Sequence, residues 1–414
     1  MRATAQVGII GAGPAGARAA ELLARRGVSV VLLDPKAPWE KPCGGGLTPP
    51  LFEEIPELEE LAPEARAVER VRIEVAPDEG FSVELERPIR IISRKTLAAW
   101  QLERALAAGA VHLPAKVRSI THFEGGWSLD TDHGDFRVPF MVGADGAASL
   151  VRRVAVPRFS VELAPTRVAY PPECRAIGDV MVLKFYEGLA GYLWDFPRPD
   201  HRSVGSGVPN GTWARPLLDA EIDGYRDSSH PDCIDPDRAG AVIGTAQLGH
   251  GDFSQIAGEN FALLGDAAGF ADPLTGEGIQ NALRSAGLLA AAWDEGHVGR
   301  LYPILAQRAF SREFAVARLL RRTMLESGTG LRLIRSARTS NVAYAVVAAA
   351  LNGLNEHDGH PARLLRRWYG TFRKVRKDPS LARRTTRAPV PCEHRSADTV
   401  AASTHSYPST HHAA

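Results

Sequence analysis

The chain has 414 residues, 44% of them hydrophobic, with 49 Lys and Arg against 48 Asp and Glu and a net charge of +1. That length is enough for two or three domains or one elaborated domain, with apolar residues for a sizeable core, and the charge balance excludes a global pull towards nucleic acid or anionic surfaces. Cys43, Cys174, Cys233 and Cys392 are widely spaced with no C-x-x-C pair, which excludes a disulfide scaffold or a cysteine zinc site and implies a reducing compartment.

Gln6-Val7-Gly8-Ile9-Ile10 reads as a buried strand. Gly11-Ala12-Gly13-Pro14-Ala15-Gly16 follows, opening onto a helix that stops near Gly27, and Val28 to Leu33 reads as a second strand ending in Asp34. This is a strand–helix–strand unit with G-x-G-x-x-G at its turn. Gly11 permits the sharp turn, Gly13 lets backbone approach a pyrophosphate, and Gly16 lets helix pack on strand. The helix N-terminus offers free N–H groups to phosphate, and Asp34 stands where a carboxylate reaches ribose hydroxyls. The motif implies a bound dinucleotide, with NAD and FAD both open at this point. The opening run belongs to this unit, so it is read as a strand and not as a signal peptide, and no run reaches the ~18 apolar residues of a membrane span. A cytoplasmic chain is expected.

Next comes Lys41-Pro42-Cys43-Gly44-Gly45-Gly46, a loop because three glycines suit neither helix nor strand. Residues 53–67 are helical at most in part, interrupted by Pro56 and Pro63. Residues 71–75 and 81–85 alternate and pair as a hairpin. Arg94 precedes a helix over 96–108 with Leu97, Trp100, Leu102 and Leu106 on its apolar face. Residues 117–122, 127–131 and 136–142 read as a meander that ends in Asp145-Gly146, with Ser149 and Arg152 beyond. Short β runs at 180–185, 191–196 and 202–208 imply an antiparallel sheet, followed by a helix over 217–225. Tyr192, Trp194 and Phe196 alternate and so share one face, either an aromatic wall for a ligand or a plain core face. Residues 261–266 form a strand ending in Gly265-Asp266; Gly269, Gly276 and Gly278 follow, and a helix runs from Ile279 to 293. Residues 300–385 read as helical and arginine-rich, with 342–354 as a buried helix. His357 and His360 lie in a polar loop, and no metal is expected. The Ser-, Thr- and His-rich residues 386–414 read as a disordered tail.

Gly11 to Gly16, Asp145-Gly146 and Gly265-Asp266 stand in one order, and as a set they resemble FAD-dependent enzymes with the para-hydroxybenzoate hydroxylase type of fold. Pro42 to Gly46 and Tyr192-x-Trp194-x-Phe196-Pro197 narrow the resemblance to the geranylgeranyl reductases. It covers residues 5–300. The resemblance implies a mixed α/β chain: a Rossmann-like FAD-binding unit with a parallel sheet (1–75, 90–153, 256–295), an antiparallel-sheet substrate unit (76–89, 154–255) and a helical region (296–385). It implies FAD held by Gly11, Ala12, Gly13, Pro14, Ala15, Gly16, Asp34, Cys43, Gly44, Gly45, Arg94, Asp145, Gly265, Asp266, Gly276, Gly278 and Ile279. Cys43, Tyr192, Trp194 and Phe196 then border the reaction, with Cys43 either a proton donor or an inert small residue. The implied activity is saturation of isolated C=C bonds of a geranylgeranyl-type isoprenoid by hydride from reduced flavin plus a proton. The external electron donor stays open between NADPH and reduced ferredoxin. The lipid substrate and the basic helical residues raise peripheral membrane contact. One position departs from the family: Arg198 follows Phe-Pro where Lys is common. Two other functions fit the same cofactor. One is an O₂-using hydroxylase or halogenase, although the Trp-x-Trp-x-Ile-Pro motif of the latter is missing. The other is a non-catalytic flavin-binding redox or assembly protein docking through Arg318, Arg321 and Arg322.

Overall fold

A computed structural model describes residues 5–75, 80–172, 178–187, 191–208, 215–229, 238–245 and 252–355, with residues 369, 370, 373 and 377. Cys174, Cys233, Cys392, His357, His360 and the tail from 386 lie outside the described residues.

The chain opens with β1 (Val7–Ile10), α1 (Pro14–Ala24) and β2 (Val30–Leu33). The short β3 (Gly46–Leu47), α2 (Pro49–Glu54) and a 3-10 segment over Pro56–Glu64 lead into a long pair, β4 (Arg66–Glu74) and β5 (Gly80–Ile91). Then come α3 (Arg94–Ala107), β6 (Val111–Leu113), β7 (Val117–Phe123), β8 (Gly126–Thr131), β9 (Gly134–Val138), β10 (Phe140–Gly143) and α4 (Leu150–Ala155). The middle of the chain holds β11 (Glu162–Ala169), β12 (Val180–Phe185), β13 (Tyr192–Pro197), β14 (Arg202–Gly207), α5 (Arg215–Ser229) and β15 (Arg238–Thr245). After β16 (Phe261–Leu263) the chain is helical: α6 (Ile279–Asp294), α7 (Val298–Leu320), a π-helical turn over Arg321–Glu326, α8 (Thr329–Ala337) and α9 (Asn341–Asn355).

Five strands form a parallel sheet in the order β16-β10-β1-β2-β6. Its strands β1, β2 and β10 are buried at every position, as the unbroken apolar runs require of a sheet covered on both faces. An eight-stranded sheet runs β15-β11-β14-β13-β12-β4-β5-β3, and β7-β8-β9 form a separate meander. The large sheet is not purely antiparallel, because β12 pairs with β4 in parallel. For the same reason the unit boundary expected at residue 75 does not follow the sheets: β4 hydrogen-bonds β5 and β12, away from the parallel sheet. The expected meander strand over 136–142 is two strands. Pro139 interrupts it, and the chain passes there from the meander into the parallel sheet.

The face of β4 and β5 that carries Val71, Ile73, Val83 and Ile89 is buried by α8 and α9 through Leu331, Ile334, Tyr344 and Val347. Tyr344 Oη donates to the Ser82 carbonyl at 2.9 Å, and Asn352 Oδ1 accepts from Glu86 N at 2.7 Å. On α3, Leu97 and Leu102 are buried as expected, but Leu106 is exposed and Gln101 takes its place on the inner face. No helix among the described residues is long and apolar enough to cross a membrane.

Candidate functional site

The turn after β1 is set by close backbone approach. Gly11 has φ +98°, and a Cβ there would lie 2.3 Å from the Ala144 carbonyl oxygen; one on Gly16 would lie 1.8 Å from the Gly11 oxygen. Gly13 differs, with open space where its Cβ would be. It is the N-cap of α1 and places no side chain over the helix's free N–H groups. Asp34 is partly committed: its carboxylate accepts from Ala12 N at 2.9 Å, Lys36 N at 2.8 Å and Ala37 N at 3.1 Å.

Gly11 to Ala15 and Asp34 line one end of a cavity of 810 Å³. Arg94 and Gln101 line it too. Ser93 caps α3, so Arg94 is its first residue, and Gln101 follows two turns later on the same face. Both are buried, at 7% and 3% exposure, yet Arg94 Nε and both amide atoms of Gln101 have no hydrogen-bond partner. Buried polar groups are ordinarily satisfied, so these atoms form a donor and acceptor set suited to a polar ligand in the cavity. The sequence reading missed Gln101; its only signal is a polar residue seven after Arg94 on an otherwise apolar face. Asp145 also borders the cavity, but its carboxylate accepts from Ser149 Oγ, Leu150 N and Val151 N and so caps α4. Burial raises its pKa, against those hydrogen bonds. Arg152 turns away, onto the carbonyls of Ala267 and Ala147.

Midway along the cavity stands a second helix N-terminus. Gly278 is the N-cap of α6, again with no side-chain cap, and Gly276 has φ +72°. Asp266 is tied to Lys41, Nζ to Oδ2 at 3.1 Å, a pair 225 residues apart that sequence spacing could not reveal. A Cβ on Gly278 would lie 2.9 Å from Asp266 Oδ1. Gly265 and Ile279 complete this wall.

Facing it is the Cys43 loop. A Cβ on Gly44 would lie 2.4 Å from the Phe196 ring, and one on Gly45, at φ +84°, would lie 2.2 Å from the Ile92 carbonyl oxygen. Cys43 is half-buried, and Gly45 N approaches its Sγ at 3.4 Å. The Cys43 carbonyl accepts from Arg198 Nη2 at 2.7 Å and Ser203 Oγ at 3.0 Å. Arg198 is fully buried, does not line the cavity, and pairs with Glu40 at 2.6 Å. Glu40 in turn accepts from Ser93 Oγ, Arg94 N and Lys95 N at the start of α3.

Tyr192, Trp194 and Phe196 line the cavity from one face of β13, with the first two rings 6.1 Å apart. Tyr192 Oη donates to the Thr275 carbonyl, and burial pushes its pKa up. Beyond these rings the cavity continues as an arm between the large sheet and the C-terminal helices, walled by Ile73, Leu183 and Phe185 on one side and Met324, Ile334 and Val347 on the other. No charged residue lines this arm among the described residues.

Two uncapped helix N-termini, unpaired Arg94 and Gln101 atoms and close-packed glycines on one cavity fit a flavin dinucleotide, whose phosphates and ring carbonyls take such donors. Comparison with known proteins agrees. Residues 4–164 match the model of an FAD binding domain. The chain is 31% identical to a menaquinone reductase of Mycolicibacterium smegmatis over 84% of this chain and 92% of that one. It is 28% identical to the chloroplastic geranylgeranyl diphosphate reductase of Nicotiana tabacum over 70% of this chain and 66% of that one. A solved geranylgeranyl bacteriochlorophyll reductase-like protein of Thermoplasma acidophilum shares the fold, with a TM-score of 0.70 at 19% identity over 92% of this chain and 99% of that one. The chain therefore belongs to the geranylgeranyl reductase family of FAD-dependent oxidoreductases.

Proposed function

We propose that this chain saturates isolated carbon–carbon double bonds in a long isoprenoid chain. Bound FAD, once reduced, supplies the hydride. The observation that carries the reading is the arm running from Tyr192 to Val347, lined by no charged side chain among the described residues, which suits a prenyl chain.

The chain's own residues have distinct tasks. Gly11, Ala12, Gly13, Pro14, Ala15 and Gly16 hold the pyrophosphate on α1. Asp34 borders the ribose, while Arg94 and Gln101 supply the polar contacts their unpaired atoms lack. Gly265 and Asp266, with Lys41, hold the ribityl side, and Gly276, Gly278 and Ile279 present the N-terminus of α6 to the pyrimidine edge. Asp145 acts by fixing α4 beside the cofactor. Gly44 and Gly45 let the Cys43 loop lie close over the site. An isolated alkene has no polarising group, so orientation in a dry slot carries most of the acceleration, worth ~7–11 kcal/mol. Tyr192, Trp194 and Phe196 provide that slot. Cys43 Sγ delivers the proton to the second carbon and is restored from solvent. Tyr192 Oη donates its hydrogen to the Thr275 carbonyl, so its task is to position the wall.

The same arm favours a neutral head group, since a diphosphate would find no cation among the described residues that line it. Together with the relative named menaquinone reductase, this favours a prenylated quinone over a prenyl diphosphate. The test is anaerobic incubation of the chemically reduced holoprotein with menaquinone and, separately, geranylgeranyl diphosphate, followed by mass spectrometry. A gain of two hydrogens per bond in the prenyl chain supports the reading. No gain with either substrate, or an oxygen gained only in air, overturns it.

A further inference from the structure

Helix α7 carries a surface that the flavin site does not use. Its exposed positions are Arg300, Ile304, Arg308, Arg312, Ala315 and Leu319, and the stripe continues into the π-helical turn at Arg322. At 100° per residue these fall within an arc of about 120° along about 33 Å of helix. None of the four arginine side chains has an ion-pair, hydrogen-bond or ring partner among the described residues. Neighbouring arginines are paired: Arg321 with Glu162, Arg335 with Glu187 and Arg284 with Glu313. Glu313 is the one acidic residue between 300 and 322, and it is half-buried against Arg284. Between the unpaired arginines stand two exposed apolar side chains, Ile304 at 39% and Leu319 at 60%.

We propose that this stripe is a docking surface for an anionic lipid bilayer. Arginines interleaved with Ile and Leu on one face, with no acid among them, match the surface of a bilayer: guanidinium groups on phosphate, apolar tips in the acyl boundary. An acidic protein partner would use the charges but would leave Ile304 and Leu319 without a role. Position supports the same occupant. Leu319 faces solvent while Leu320, Met324 and Leu325 line the apolar arm. Docking on this face therefore puts the bilayer about one helix diameter, ~10 Å, from the arm. The choice of a lipid surface rests on the isoprenoid reading, but the experiment reads binding without any substrate, so either can fail alone.

The test is co-flotation of the FAD-loaded protein with phosphatidylcholine vesicles, with and without phosphatidylglycerol, at low and high salt. We expect binding only to the anionic vesicles, weakened by salt. Arg308→Gln/Arg312→Gln/Arg322→Gln should lower partition about fivefold per arginine, or ~100-fold together. Ile304→Ser/Leu319→Ser should lower what remains at high salt. Arg118→Gln/Arg158→Gln, two exposed arginines away from the stripe, should bind as the unmodified protein does. FAD content and thermal unfolding of each variant report that the fold is intact. No partition of the unmodified protein, equal binding to neutral vesicles, or an unchanged triple variant overturns the proposal, and capture by an acidic protein without vesicle binding reassigns the stripe to a protein partner.

Discussion

Arg198→Lys separates two roles for a position where the family commonly carries lysine. If the site needs only positive charge facing a ligand, lysine suffices. The structure gives Arg198 another task. Its Nη1 meets Glu40 at 2.6 Å, its Nη2 meets the Cys43 carbonyl at 2.7 Å, and its face covers the Tyr170 ring at 5.3 Å. One planar cation thus ties the Cys43 loop to the start of α3 and to the end of β13. An ammonium keeps the charge but not the fork, so it holds one of the two acceptors. A charge-assisted hydrogen bond contributes ~1.5–3 kcal/mol, and the stacked ring adds ~1 kcal/mol. Ser203 Oγ still holds the Cys43 carbonyl, so the loss falls near ~2 kcal/mol, the low end of that range. In a chain of 414 residues, at ~2.1 cal/mol/K of unfolding entropy per residue, that lowers Tm by roughly 2 °C. The loop that carries Cys43 is then less well placed, and kcat should fall about tenfold, with KM changed less because Arg198 does not line the cavity. Differential scanning of the FAD-loaded protein and steady-state kinetics read both effects. If Arg198→Lys matches the unmodified protein in Tm and kcat, the fork does not hold the loop and the reasoning fails.

Three further outcomes follow from the same geometry. Gly11→Ala should fail to fold stably, since its Cβ would meet the Ala144 oxygen at 2.3 Å, whereas Gly13→Ala should leave the apoprotein's Tm unchanged and weaken FAD binding, read by flavin fluorescence titration; equal behaviour of the two contradicts the assignment of Gly13 to the pyrophosphate. Gln101→Met removes an amide with no protein partner, so the apoprotein should be as stable or ~1 kcal/mol more stable while retaining less FAD through gel filtration; a destabilised apoprotein with normal FAD content argues against a cofactor role. For Glu40, burial raises the pKa, but the Arg198 charge and the hydrogen bonds from Ser93, Arg198 and Lys95 outweigh it and hold the carboxyl below its usual 4.5. A lowered folded-state value contributes stability that is complete above the unfolded pKa and is lost as pH falls through the folded one. Chemical denaturation in steps below pH 4.5 should therefore show a steeper loss for the unmodified protein than for Glu40→Gln, and parallel slopes would contradict the pairing.

The parts of this site legible in the sequence are those set by hard local geometry. Gly11 and Gly16 have no alternative residue because backbone oxygen fills the space a Cβ needs, and such a constraint leaves its mark in a few adjacent letters. The helices α1 and α6 announce themselves by glycine at the N-cap and an apolar run behind it. What stayed hidden depends on partners far away in the chain. Lys41 meets Asp266 across 225 residues, and Gln101 looks like any polar residue on a helix until its buried face is seen. β11 was missed because it contains Pro165, which speaks against a central strand. The pairing explains the exception: β14 joins β11 only from Thr166 onward, one residue after the proline. β15 carries two glycines and small side chains that give no β signal. Asp145 was legible as part of a motif but not in its task, since only the fold reveals that its carboxylate is used up on α4.

The site divides its polar and apolar work between two sides of one loop. In front, the Cys43 loop faces a cavity whose arm is lined by no charged side chain among the described residues, which leaves little to draw water towards the flavin. Behind, Arg198, Glu40 and Ser203, none of which lines the cavity, form a hydrogen-bonded block with the backbone amides at the start of α3. On the proposed reaction, an alkene without a polarising group gives the protein no charge to grip, so precision must come from a rigid mount. Glycine is required at Gly44 and Gly45 because the loop is pressed between Phe196 on one side and Ile92 on the other. This arrangement assigns different kinetic signatures to the two sides. Changes in the block should move the loop and lower kcat, while changes in the arm, such as Val347→Phe, should shorten the space for the proposed prenyl chain and raise KM for long substrates before short ones. A block variant that altered chain-length preference, or an arm variant that lowered kcat for every length alike, would show that the two sides are not separate.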